Sequence, residues 1–202
     1  MMHARHVVLA AAAGFALAAA GLGIAFVASS GRTIAPAGGS IGGPFTLTDE
    51  TGSTVTEASL AGKPSVIYFG YTFCPEVCPT TLMDMSHWIT KLGPDADKLN
   101  FVFVTIDPER DTAKVMHDYM TSFDRHIRGF TGTPEQIADI ARKYRVYYKR
   151  VPTDDGDYVM DHSAIIYLMD PNERFFSAIP YQEADDAALA KLHRLVATAA
   201  RS

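Results

Sequence analysis

The sequence predicts an α/β domain with a central, mainly parallel sheet, helices on both faces and an antiparallel edge. Three observations carry this. Ser65–Gly70 (SVIYFG) and residues 100–106 (NFVFVTI) are continuous apolar runs, the pattern of strands buried on both faces. Stretches with helical spacing of apolar residues lie between these runs and later strand-like ones. Strands that alternate with helices build a parallel sheet covered on both sides.

Taken in order, residues 45–55 read as a small N-terminal hairpin. Phe45 and Leu47 alternate with threonines, and Asp49, Gly52 and Ser53 supply turn chemistry. After the first buried strand, residues 79–92 read as a helix with Leu82, Met85, Ile89 and Leu92 on one face, ended by Gly93 and Pro94. The second buried strand leads to a helix over 112–123, with Val115, Tyr119 and Phe123 four apart, and a short strand over 127–130. Thr133 caps the next helix, Pro134 occupies its first position, and it runs to about Tyr144. Residues 146–151 are a strand candidate, and 152–158 an acidic turn around Gly156. Residues 164–169 and 174–179 pair across a turn at Asp170, Pro171 and Asn172. A helix over 183–200 closes the chain.

The first 30 residues differ from the rest. Residues 7–28 form an uncharged run of 22 residues, enough to cross a bilayer core of about 30 Å as a helix. Arg5 is the only charged side chain before Arg32, so the positive flank is N-terminal and the following domain is expected on the exported side. An uncleaved anchor over residues 1–30 is the expectation. A cleaved signal peptide is the alternative, with Val27-Ala28-Ser29 as a passable site. No Cys follows the run, which excludes a lipidated N-terminal Cys. Residues 31–43, rich in Gly, Ala, Ser and Pro, read as a flexible tether to a domain over 44–202.

Composition excludes several classes. The chain has 202 residues, 48% of them hydrophobic, with 11 Phe and 9 Tyr, so it is not wholly disordered. Eighteen Lys and Arg stand against 23 Asp and Glu, a net charge of −5, which argues against nucleic-acid binding. Two Cys exclude a multi-disulfide scaffold and a four-Cys metal site.

Those two cysteines carry the sharpest chemistry. Cys74 and Cys78 sit between a buried strand and a helix, at the carboxyl end of a strand, where open α/β sheets bind ligands. Each precedes a proline, which disfavours the α region. Pro79 suits the first helical position, so Cys78 is expected at the N-cap, its sulfur feeling the helix N-terminus. Their spacing permits one metal or one Cys74–Cys78 disulfide, and an exported domain permits oxidation. A purely structural bridge is the weaker reading, because so short a loop gains little from closure.

Two thiolates leave a metal site incomplete, and the chain has seven His. His3 and His6 flank the apolar run. His87, His117 and His193 fall on predicted helices, and His126 in a charged loop. His162, just before the strand at 164–169, is the remaining candidate. Two soft thiolates and an imidazole suit trigonal Cu(I). Zinc would want a fourth ligand, for which Asp161 or water is available. Met83 and Met85, at helical spacing, read as filler rather than ligands. A peroxidase would need an Arg/Thr-lined peroxide site, with Thr72 and Arg110 as the only weak candidates.

Several blocks together resemble the Sco/SenC family. They are Tyr68 through Thr80 around Cys74 and Cys78, Thr105 through Thr112 (TIDPERDT), Tyr144 through Lys149, and Asp161-His162-Ser163 leading to Tyr167. The segment from Gly43 to Gly52 also fits, so the resemblance spans about residues 43–197. It implies a thioredoxin-like fold, a membrane anchor, and copper, as Cu(I) or Cu(II), bound by Cys74, Cys78 and His162. It places Asp107 next to the metal site. The implied task is delivery of copper to the binuclear copper centre of cytochrome c oxidase during its assembly. The alternative is reduction of that subunit's copper-ligand cysteines, with Cys74 and Cys78 as the redox dithiol. Implied partners are the oxidase copper-centre subunit, other periplasmic copper carriers, and the inner membrane through residues 7–28. The Cys-x-x-x-Cys spacing, and Asp-His-Ser where thioredoxins place a Pro, favour metal over general disulfide exchange.

Overall fold

Six consecutive buried residues put Ser65–Gly70 at the heart of the sheet. The computed structural model describes residues 40–199. Its strands are β1 (Thr46–Asp49), β2 (Thr54–Thr56), β3 (Ser65–Gly70), β4 (Asn100–Thr105), β5 (Ile127–Thr131), β6 (Tyr148–Pro152), β7 (Tyr158–His162), β8 (Ile165–Met169) and β9 (Phe175–Pro180). Its helices are α1 (Val77–Leu92), α2 (Ala113–Met120), α3 (Pro134–Tyr144) and α4 (Asp185–Ala199). The apolar run 7–28 and most of the tether lie outside the described residues. Among the described residues no helix is long and apolar enough to cross a membrane. Of the described residues before Pro44, Ile41 packs against the core, and the Gly42 N–H donates to the Lys143 carbonyl at 3.0 Å.

Seven strands form one sheet in the order β2-β1-β5-β4-β3-β8-β9, while β6 and β7 form a separate two-stranded sheet. Only β3–β4 and β4–β5 are parallel; β1–β2, β1–β5, β3–β8 and β8–β9 are antiparallel. The expected mainly parallel sheet is therefore a mixed one with a parallel centre. The cause lies in β6. Lys149, Arg150, Val151 and Pro152 are all exposed, and a proline cannot donate to a central ladder. This strand cannot enter a sheet covered on both faces, so it pairs with β7. The chain then re-enters the main sheet through β8, reversed against β3.

Helices do cover both faces. Alternate side chains of β3 point to opposite sides. Tyr68 meets Cys78 of α1 and, through Phe103, Tyr119 of α2. Phe69 meets Tyr144 of α3 and Tyr167 of β8, with ring centroids 5.3 and 5.7 Å away. Tilted and edge-on ring pairs of this kind add about 0.5–1.5 kcal/mol each beyond area burial.

Helix ends follow local chemistry. The Thr133 hydroxyl accepts from the Gln136 N–H, and the Gln136 side chain accepts from the Thr133 N–H, a full capping box with Pro134 in the first turn. Thr112 caps α2, which is shorter than its expected span of 112–123. Its core face is Met116 and Met120; Val115, Tyr119 and Phe123 are only partly buried. Gly129 lies under those two methionines, where a Cβ would fall 3.0 Å from each side chain.

Candidate metal centre

The three candidate ligands come from two different places in the chain. Cys74 and Cys78 follow β3, whereas His162 ends β7. Their ligand atoms lie within 4.8 Å of one another, and among the described residues no other His, Cys, Asp or Glu joins the group. Cys78 Sγ is 3.4 Å from His162 Nε2. Cys78 is fully buried, Cys74 is half-buried, and both are free thiols.

The helix starts earlier than expected. Val77 is its first residue and Glu76 its cap, so Cys78 lies within the first turn. Pro79 is accommodated because the N–H groups of a first turn have no partner inside the helix. This exchanges the roles of the sulfurs. Cys74 Sγ, not Cys78 Sγ, caps the helix by accepting the Cys78 N–H at 3.4 Å. A hydrogen bond from the Cys78 side chain, opposed by burial and helped by the Cys78 and Glu76 backbone, pulls the Cys74 thiol down to about 4. Cys78 is pushed far up by its hydrogen bond with Cys74, by burial and by the charge on Cys74. In the metal-free pair the half-buried Cys74 is thus the sulfur that favours thiolate, and the buried Cys78 the one that favours the thiol.

His162 Nδ1 is 3.1 Å from the Ser163 carbonyl. A carbonyl only accepts, so Nδ1 carries the proton and the Nε2 lone pair faces the sulfurs. Tyr71 meets the imidazole edge-on, its centroid 5.9 Å away. The Tyr68 hydroxyl donates to Cys78 Sγ at 3.7 Å. The result is a partly buried cluster of two sulfurs and an oriented imidazole. Two soft sulfurs and one nitrogen, with no other His, Cys, Asp or Glu beside them among the described residues, fit trigonal Cu(I) better than tetrahedral zinc.

The other candidates fall elsewhere. Asp107 is buried, and its carboxylate accepts from Arg110 Nε at 2.6 Å and the Tyr158 hydroxyl at 2.9 Å. It touches none of the three ligands and reaches the site through Tyr158 of the hairpin and through Arg110, which lies near Phe73 and Tyr71. Asp161 is exposed, with its carboxylate 3.4 Å from the Tyr147 hydroxyl. His87, His117 and His193 are exposed, and His126 sits between Asp124 and Asp97. Met85 is core and Met83 surface. The peroxide-site candidates are engaged: Asp111 takes the Thr72 hydroxyl at 2.5 Å, and Asp107 takes Arg110.

Two residues that sequence reasoning missed shape the site. Asp111 is fully buried and accepts from the Thr72 N–H and hydroxyl and from the Thr105 hydroxyl, at 3.0, 2.5 and 2.6 Å. It ties the loop before Cys74 to the end of β4. Gly70 packs directly under the sulfur, where a Cβ would fall 2.7 Å from Cys78 Sγ. Both occur in the blocks that carry the resemblance, yet neither has a local pattern that reveals its through-space partner.

Comparisons with known proteins agree with this geometry. A family model described as SCO1/SenC matches residues 35–197. Protein SCO1 homolog 1, mitochondrial, of Arabidopsis thaliana is 43% identical over 136 residues, which are 67% of this chain and 41% of that protein. The chain spans about half the length of the curated mitochondrial relatives it matches. Bradyrhizobium japonicum ScoI, solved with copper bound, shares 52% identity with a TM-score of 0.72, covering 77% of this chain and 99% of that one. Yeast Sco1, also solved with copper bound, shares 37% identity with a TM-score of 0.72, covering 79% of this chain and 90% of that one. A match across most of its length, on a fold and a Cys-Cys-His cluster already seen in the coordinates, settles the relationship: the chain belongs to the SCO1/SenC family.

Proposed function

We propose that the protein is a membrane-anchored copper carrier. It holds Cu(I) between Cys74 Sγ, Cys78 Sγ and His162 Nε2. It passes the metal to the copper-centre subunit of cytochrome c oxidase during assembly, from the exported face of the inner membrane. The observation that carries this reading is the convergence of three soft-to-borderline ligand atoms within 4.8 Å, drawn from two distant segments. Copper is cargo here, so the site must release it. A three-coordinate site at a half-buried sulfur leaves an approach for an incoming thiolate. The copper-bound relatives support the choice of metal. Residues 7–28 supply the anchor in this reading, and the sequence resemblance supplies the oxidase.

A second reading rests on the uneven thiols. Cys74 is half-exposed with a low pKa, and Cys78 is buried beside it, the arrangement of an attacking and a resolving thiol. In that reading the pair reduces the oxidase subunit's cysteines and ends as a Cys74–Cys78 disulfide.

The deciding experiment is Cu(I) competition against a coloured chelator with reduced, full-length protein in detergent. One Cu(I) per chain is expected, with affinity falling well over tenfold in His162→Ala as one of three ligands is lost. Binding indifferent to His162 would remove the carrier site and leave dithiol exchange as the function.

A further inference from the structure

The β6–β7 hairpin carries His162 but shares no ladder with the main sheet. An isolated two-stranded hairpin is marginal in water. Tyr148 and Met160 pack against the core and Tyr158 is buried, but the packing is incomplete. An open cleft of about 370 Å³, with Ile106, Ile137, Tyr148 and Met160 among its walls, separates it from the body. Those few contacts, with the Tyr158 hydroxyl on Asp107 at 2.9 Å, leave room for a further group to fix where β7 ends.

Arg110 is placed to do this. It follows β4 and is largely buried, with its side chain 15% exposed. Its Nε binds Asp107 at 2.6 Å on its own loop. Its Nη1 donates to the Tyr158 carbonyl at 3.0 Å and to Asp157 Oδ1 at 3.3 Å, both at the start of β7. The guanidinium also lies close to one ring from the hairpin and one from the cysteine loop. Its carbon is 3.6 Å from the Tyr158 ring centre and 4.7 Å from that of Phe73, the residue before Cys74. Arg150 stacks on Tyr158 at 3.5 Å and is paired with Glu109 at 3.0 Å. The hairpin base, the β4 loop and the cysteine loop are thereby stapled through one side chain. Arg110 also lies 5.8 Å from the Tyr71 ring, whose edge faces His162.

We propose that Arg110 is a positioning residue for His162: it clamps the hairpin to the cysteine loop in the setting that brings Nε2 to Cys78 Sγ. This rests on the copper-carrier reading. Lysine cannot replace it, because an ammonium keeps the charge but has neither the planar fork nor the stacking face.

The test is a double-mutant cycle on the full-length, reduced chain in detergent, read by Cu(I) competition. Arg110→Lys is expected to weaken Cu(I) binding about tenfold in the wild-type background and less than about twofold in His162→Ala, because the clamp acts only through that imidazole. An unchanged affinity, or the same fold loss in both backgrounds, overturns the proposal. A copper-free readout accompanies it. In metal-free protein, amide hydrogen exchange over residues 158–162 should accelerate in Arg110→Lys while β3 and β4 stay protected; unchanged exchange in the hairpin also overturns the proposal. If Arg110→Lys does not fold, Tyr158→Leu removes the ring under the guanidinium and must give the same pattern. Failure of the wild-type chain to bind Cu(I) sinks the carrier reading and leaves the clamp to be judged by exchange alone.

Discussion

Gly70→Ala tests whether the buried sulfur is as tightly seated as the geometry says. Gly70 closes β3, in register with Thr105 of β4, and its carbonyl accepts the Ile106 N–H at 2.8 Å, so its backbone is pinned. A Cβ there would stand 2.7 Å from Cys78 Sγ and 2.8 Å from Phe103 Cε2, where ordinary contact begins at 3.4 Å. Both neighbours must retreat by more than half an ångström. Phe103 is packed between Tyr68 and Tyr119, and Cys78 is held in the first turn of α1. Overpacking of this kind costs about 1–3 kcal/mol, and removing a glycine returns about 0.4–1 kcal/mol through the unfolded state. The expected net loss is about 1–2 kcal/mol, read by urea unfolding of metal-free protein. Displacing Sγ from His162 should also weaken Cu(I) binding about tenfold or more. In a Cys78→Ala background the sulfur clash is gone, so the stability penalty should shrink to about half. Wild-type stability with wild-type copper affinity would refute the tight seat. So would a penalty that ignores the loss of the sulfur.

Two further outcomes follow from the titrating groups. Cys74, pulled down to about 4, should be alkylated by iodoacetamide in metal-free reduced protein at a rate nearly flat from about pH 6 to 8, with Cys78 far slower. Peptide mapping reads this, and a Cys74 rate that climbs tenfold per pH unit would contradict it. Burial, with the neighbouring Asp170 and Glu57 carboxylates, pushes Glu173 up to about 7 against a hydrogen bond from Ser65, and Oε2 is buried without a partner. A folded pKa above the unfolded one means this group favours folding most below its ordinary value of 4.5 and loses that contribution as pH rises through about 7. Glu173→Gln should therefore raise the melting temperature at pH 8.5 relative to wild type and change it little at pH 4.5; equal effects at both would exclude the assignment.

What the sequence disclosed divides along a physical line. Ser65–Gly70 was legible because both its faces are buried, so its whole length is apolar. Thr133 and Pro134 were legible because a capping box is a local contract among neighbours. Strand direction was not, because it depends on where the chain re-enters the sheet. That was decided by β6, whose exposed charges and Pro152 turn it out to pair with β7. β7 itself was hidden. Its burial alternates around the charged Asp161, and the residues just before it read as an acidic turn. His162 was reached by elimination and by resemblance, since nothing at positions 158–163 announces a metal ligand.

The candidate site shows the same division more sharply. Cys74 and Cys78 were visible from spacing, yet the sequence points to Cys78 at the cap, whereas a helix that starts two residues earlier puts Cys74 Sγ on the Cys78 N–H. Asp107, Arg110 and Asp111 all lie in one short block, and the resemblance singled out only Asp107. The three residues point to different parts of the site. Asp111 secures the cysteine loop from behind, while Arg110, held by Asp107, reaches forward to the histidine hairpin. One segment thus governs both halves of the ligand set. If Arg110 clamps the hairpin as proposed, the distance between sulfur and imidazole is set from the β4 loop as well as from the two ligand segments. For a carrier this matters: a site that must both hold and surrender its metal needs its third ligand on an element that can be set independently of the first two.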